Sequence, residues 1–135
     1  MPLFETGLYR FITADLAVSA VISDRFYRVR APQKAKTPYA VYTTVFASTD
    51  ISMDQISGLT DRTIQISLFG TAVNVLEELA ESMRLAFGRL RGEAVGIPGN
   101  RIWVHDFAYQ LETFEVDTKL FHVVCQMDLL HSTSV

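Results

Sequence analysis

Residues 61–90, DRTIQISLFGTAVNVLEELAESMRLAFGRL, carry a period-two apolar pattern that changes at Gly70 into the three-to-four spacing of a helix. Ile64, Ile66 and Leu68 alternate with Thr63, Gln65 and Ser67, so a strand here has one apolar and one polar face. Beyond Gly70, the residues Val73, Leu76, Ala80, Met83 and Phe87 form a single stripe along a helix of about four turns. Thr71 is placed to cap that helix, Glu77, Glu78 and Glu81 lie toward its first half, and Gly88 with Arg89 and Arg91 closes it. A helix with one apolar stripe needs a sheet or another helix to cover it, so the rest of the chain is read as the parts that complete this layer.

Upstream, residues 3–22 read as helix in two pieces, with Phe4, Leu8, Phe11 and Ile12 on the first and Leu16, Ala20 and Val21 on the second. Asp15 is the expected cap between them. Residues 25–29 are aromatic and β-branched enough for a short strand, and 31–38, with two prolines and two lysines, read as a loop. Tyr39 to Ala47 is a strand. Residues 48–60, STDISMDQISGLT, read as a long loop or partner-binding arm; alternation of Ile51 and Met53 with serines and aspartates also suits strands running past the sheet body.

Downstream, residues 91–100 hold three glycines and a proline and read as a loop. The glycines lack the spacing of a phosphate cradle, and the helix precedes them instead of coming after. Two long strands come next, 101–112 and 119–130, joined near Glu115-Val116-Asp117-Thr118. In the second, Phe121, Val123, Cys125, Met127 and Leu129 mark one buried face. In the first, Ile102, Val104 and Ala108 alternate with Trp103, His105, Phe107 and Tyr109. Either both faces of that strand are covered within the subunit, or the aromatic row meets another subunit. Residues 131–135 read as a frayed tail. The order of elements predicts one α+β domain over 1–135, an antiparallel sheet of about four main strands with helices packed on one face.

At 135 residues, 49% apolar and 20% charged, the chain has the composition of an ordinary globular protein. No apolar run is long enough for a membrane span, and the amino terminus lacks the layout of a signal peptide. Cys125 stands alone, which excludes an internal disulfide and a thiolate metal cluster. A net charge of -3 gives no general attraction to nucleic-acid backbones, and the aromatic residues lack the interleaved lysines and arginines of a stacking platform. His105, His122 and His131 are isolated, no serine sits in a nucleophile elbow, and adjacent His105 and Asp106 point to opposite faces of a strand. Neither a catalytic group, a cofactor nor a metal is implied.

The pieces Phe11-Ile12-Thr13-Ala14-Asp15, Asp24-Arg25, Ala31-Pro32 and Pro38-Tyr39, then the strand-helix unit of 61–87 and the closing hairpin, together resemble the tail-completion and tail-terminator proteins of long-tailed bacteriophages and prophages. The resemblance covers nearly the whole chain. It departs at Phe114 to Thr118, where the family often has glycine or proline. It implies a structural virion protein, assembled in the host cytoplasm, that forms a hexameric ring at the head-proximal end of the tail tube, in the neck. Such a ring would stop tube growth, offer a surface to the head connector, and let DNA pass without specific binding. Its partners would be other copies of itself, the tail tube protein and the connector. Expected contact residues are Asp50, Met53 and Asp54 toward a neighbouring ring, Lys34, Lys36 and Arg101 on a charged rim, and Trp103, Phe107 and Tyr109 between subunits. A head-completion protein of the same neck and an unrelated α+β binding domain are the alternative readings.

Overall fold

β3 (Ile56–Gly70) and α3 (Val73–Phe87) fall where the change of period places them. The structure, a computed structural model, describes residues 3–51, 56–94 and 100–133. At Gly70 a Cβ atom would lie 3.0 Å from Leu76 Cδ2, so the missing side chain lets α3 fold back close to the strand it leaves. Leu76, Leu79, Ala80, Met83, Ala86 and Phe87 of α3 are buried, and Val73 is half-buried. The helix starts later than Thr71 suggests: its N-cap is Ala72, with no side-chain cap, and Thr71 is exposed before it.

The other helices are α1 (Leu3–Ala14) and α2 (Leu16–Ile22). Asp15 caps α2 as expected, with Val18 N–H donating to its Oδ1 at 3.1 Å. The strands are β1 (Phe26–Arg28), β2 (Tyr39–Ile51), β4 (Arg91–Ala94), β5 (Asn100–Glu115) and β6 (Leu120–Thr133), beside β3. They form one sheet in the order β1-β2-β3-β6-β5-β4. The fold is α+β, but among the described residues the sheet has six strands and is mixed: β1 lies parallel to β2, and the remaining pairs are antiparallel. The loop after β1 carries the chain back to the level where β1 began, which is what a parallel neighbour requires.

β4 replaces part of the expected loop at 91–100. Its composition hides it, because Gly92 has a φ of 104° and lies against Trp103 on β5. A Cβ there would come within 2.5 Å of the indole Nε1. Arg91 Nη1 secures the strand by donating to Val104 O at 2.6 Å. Gly92→Ala is expected to cost about 2–3 kcal/mol, from a strained positive φ plus overpacking. A urea melt of the variant checks this, and a loss below the measurement error would sink it.

All three helices cover the same side of the sheet. Ala40, Tyr42, Ile64, Ile66, Leu68, Val123, Cys125, Met127 and Leu129 are buried toward them. The opposite side mixes polar residues with Phe69, Val124 and Leu130 along β3 and β6, and there Thr63 Oγ1 donates to Asp128 Oδ1 at 2.7 Å. His131 belongs to the buried side: β6 runs through it, and it is 5% exposed, so the expected fray at 131 is wrong. Register explains this, since His131 pairs with both Thr60 and Ile102 in the middle of three strands.

Candidate functional site

The expected contact residues divide into separate places. Lys34 and Lys36 are exposed in the loop after β1, at one edge of the sheet. Arg101 lies on β5 beside β4, toward the other edge, and its Nη1 donates to Gly92 O at 2.9 Å. These three cations therefore do not form one rim patch. The segment 48–60 is strand where described: β2 and β3 pair as far as Ile51 and Ile56, and β3 pairs with β6 only from Leu59 onward. Asp50 lies on that projecting hairpin, and Met53 and Asp54 lie outside the described residues.

The aromatic row of β5 is broken by backbone geometry. Register shifts occur between Val104 and Asp106 and between Tyr109 and Leu111, so His105 and Gln110 are inserted residues. Each insertion reverses the alternation beyond it. Ile102 and Val104 face the helices, and after the first bulge Phe107 and Tyr109 do so too, whereas Trp103 faces the other side. Phe107 packs toward the core, its ring centroid 6.2 Å from that of Phe87. Tyr109 remains 46% exposed and donates from its hydroxyl to Glu112 Oε2 at 2.6 Å. Burial first, then that hydrogen bond, raises its pKa.

A buried charge cluster ties α1 to the sheet, and the sequence reading missed it. Glu5 on α1 is 7% exposed and meets Arg62 of β3 at 3.6 Å and Arg28 of β1 at 3.4 Å. Arg62 Nε donates to His131 Nε2 at 3.1 Å, and its Nη1 donates to Thr44 Oγ1 at 2.9 Å. Its guanidinium lies 4.3 Å from the ring centre of Phe4, which is itself packed on His131. Two signals were present: Glu5 sits on the same α1 face as Leu8 and Ile12, and Arg62 continues the apolar phase of Ile64, Ile66 and Leu68. Beside Glu5, a recess of about 400 Å³ is lined by Tyr9, Phe26, Tyr27 and Tyr42. Burial chiefly, then the Glu5 carboxylate, pushes the Tyr42 hydroxyl up to about 12.

None of this assembles a reacting centre. Cys125 is buried and its thiol pushed up to about 11, which leaves little nucleophile at neutral pH. His122 stacks on Phe69 at 4.3 Å, with burial lowering its pKa and Glu115 opposing. Among the described residues no three potential ligands gather to hold a metal.

The sheet, by contrast, has two long edges that are unpaired among the described residues. β1 accompanies β2 only at Ala40 to Tyr42, and β4 accompanies β5 only at Arg101 to Trp103. Exposed apolar side chains collect along both: Val45 and Phe46 on β2, and Tyr109, Leu111 and Phe114 on β5. Such edges and apolar groups suit assembly better than turnover.

Residues 6–132 match the family of tail completion protein gp17. The chain belongs to that family. It is thereby a structural phage tail protein with its place in the virion. The tail completion protein shares its fold with a chain of the virion of the native gene transfer agent particle, at a TM-score of 0.55 and 12% identity over 94% of this chain and 92% of that one. A second solved chain, which carries no functional name, superposes at a TM-score of 0.62 with 11% identity over 97% of each. No curated protein sequence matches it. No helix among the described residues is long and apolar enough to cross a membrane.

Proposed function

We propose that this tail completion protein forms a hexameric ring on the head-proximal end of the tail tube. The ring stops polymerisation by occupying the surface the next tube ring would use, and its opposite rim accepts the head connector in the neck. The role is binding without catalysis, completed in the host cytoplasm, and DNA passes through the ring without specific contacts. The observation that carries this reading is the family match across nearly the whole chain, and the open edges of the sheet agree with a subunit that meets copies of itself.

The hairpin of β2 and β3, with Asp50, Met53 and Asp54, is the proposed contact with a neighbouring ring. Lys34 and Lys36 serve a charged contact on one side of the subunit and Arg101 one on the other. Of Trp103, Phe107 and Tyr109, the exposed Tyr109 is the residue best placed to meet another subunit. Negative-stain microscopy of a lysate from phage or prophage lacking the gene tests the function. Overlong tubes beside filled heads are expected. Tails of normal length left unattached would transfer the duty to head-tail joining, and intact infectious particles would overturn the reading.

A further inference from the structure

Charge is divided unevenly between the two ends of the sheet. Residues 28–36, from the end of β1 into the loop after it, hold Arg28, Arg30, Lys34 and Lys36 and no carboxylate. Residues 109–118, the last part of β5 and the turn to β6, hold Glu112, Glu115 and Asp117 and no lysine or arginine. All of these side chains but the half-buried Glu115 are exposed. Glu5 is shared between Arg28 and Arg62, one carboxylate for two guanidinium groups, so the β1 edge has a cation to spare. Exposed apolar groups stand in both places, Val29 beside the cations and Tyr109, Leu111 and Phe114 beside the carboxylates.

The registers set the two places at one height. Arg28 is level with Tyr109 through Tyr42, Ile66 and Cys125, and Phe26 with Glu112 through Ala40, Leu68 and Val123. Tyr39, to which the basic loop returns, is level with Thr113 through Phe69 and His122. β4 stands at another height: Arg91 pairs with Trp103, which is level with Ser48 through Leu130 and Asp61. β1 runs with β2, and β5 runs against both. A second copy in the same orientation, with its Tyr109–Glu115 laid outside β1, is therefore antiparallel to β1, and its β4 comes beside β2 at Ser48, separated from β1 by the length of Thr43–Ala47. The two short edge strands then share one column between β2 and the next β5 without overlapping. Phe26 N–H and Arg28 O are already bonded to Asp24 O and to Arg30 N–H, so β1 offers no continuous ladder and side chains carry the contact. On the helix side, Tyr109 and its hydrogen-bonded Glu112 meet the recess of Tyr9, Phe26 and Tyr42, with Arg28 in its wall. On the open side, Leu111 meets Tyr27.

From this placement we infer that copies of the protein join head to tail, β1 and the basic loop of one copy meeting the acidic, aromatic end of β5 of the next. Tyr109 of one copy enters the recess beside Arg28 of its neighbour, and Glu112 supplies the second carboxylate that Arg28 and Arg62 lack. The inference rests on the ring reading and names the surfaces that build it. A heterologous junction of this kind closes into a ring when its rotation divides a full turn. Charge also decides against the alternatives, since two basic edges or two acidic edges brought together repel.

The test uses cysteine pairs in tails purified from phage that carry the altered gene. Tyr27→Cys is combined with Leu111→Cys, and Val29→Cys with Ala108→Cys, two pairs that the registers hold level. β1 and β5 stand four strand spacings apart within a subunit, about 19 Å, so neither pair can close within one chain. The native Cys125 is buried and contributes no background. Oxidation is expected to give a ladder of covalent multimers on a denaturing gel from at least one double variant, and none from the single variants. Thermal melts and infectivity confirm folding and incorporation, and where one pair fails either, the other decides. Glu112→Lys, added to a pair that crosslinks, should cut the yield several-fold; an undiminished yield would overturn the charge matching. Dimers from a single-cysteine variant would mean like edges pair and would overturn the proposal. Rings visible by microscopy with no crosslink from either pair would overturn the junction and leave the ring standing. Tails that carry no multimer of the protein would remove both.

Discussion

Replacing Arg62 with methionine is expected to lower stability by roughly 3–5 kcal/mol, the range for removing one member of a buried ion pair. Methionine keeps much of the length and the apolar stem, so the loss isolates the charge. Glu5 would retain only Arg28, whose side chain is half in solvent, and His131 Nε2 would lose its donor. Adding Glu5→Gln to Arg62→Met should recover part of the loss, because the stranded carboxylate is then neutral, and a double-mutant cycle reads the coupling. Urea melts of the four proteins decide it; a single-variant loss below about 1 kcal/mol would show that solvent reaches Glu5. The same cluster sets an acid limit. Burial first, then the charge of Arg62, hold the pKa of His131 down to about 4. An unfolded histidine titrates near 6.5, so as pH falls below that value the unfolded chain takes up a proton that the folded chain refuses. Stability is therefore expected to fall from about pH 6.5 to about pH 4 and to lose this dependence below, by at most about 3 kcal/mol. His131→Gln keeps an acceptor for Arg62 and should flatten the slope over that window. An unchanged slope would place the acid sensitivity elsewhere.

The parts of this fold that were legible in the sequence are those where the periodic pattern runs without interruption. β3 and α3 announce themselves through Ile64 to Leu68 and Leu76 to Phe87, and β6 through Val123 to Leu129. β5 misled because period-two counting has no mark for an inserted residue: His105 and Gln110 look like ordinary strand positions, yet each reverses the facing of the residues beyond it. β4 was hidden because Gly92 reads as a turn, whereas the packing of Trp103 demands a residue without Cβ. The same limit governs the assembly surfaces. Tyr27 and Leu111 are distant in sequence, and only the strand order β1-β2-β3-β6-β5-β4 places them on opposite edges at one height. The cluster at Glu5 was closer to legible, since a carboxylate on the Leu8–Ile12 face of a helix asks for a buried cation.

Phe87→Ala should lower stability by about 3–5 kcal/mol, the range for emptying a large aromatic site in a core. For a domain of this size that corresponds to a fall in melting temperature on the order of 10–20 °C. Phe87 is fully buried at the end of α3, with the ring of Phe11 from α1 at 5.7 Å and that of Phe107 from β5 at 6.2 Å. It is thus the residue at which two helices and the sheet meet, and none of the three can close the cavity without leaving its other contacts. Phe87→Leu fills much of the space and is expected to cost less than half as much. Denaturant melts of both variants make the comparison, and equal losses would mean that the aromatic packing, not the volume, sets the stability. The position also reaches assembly. Phe107 is turned toward Phe87 by the bulge at His105, on a strand whose edge is open beyond β4. A cavity under Phe107 leaves that edge less firmly held, so Phe87→Ala should weaken joining between copies even at temperatures where the subunit is folded. Phe87→Leu, with its support for Phe107 largely kept, should assemble close to normally, and the native mass of the two variants at matched folded fraction separates a loosened edge from a merely unstable subunit.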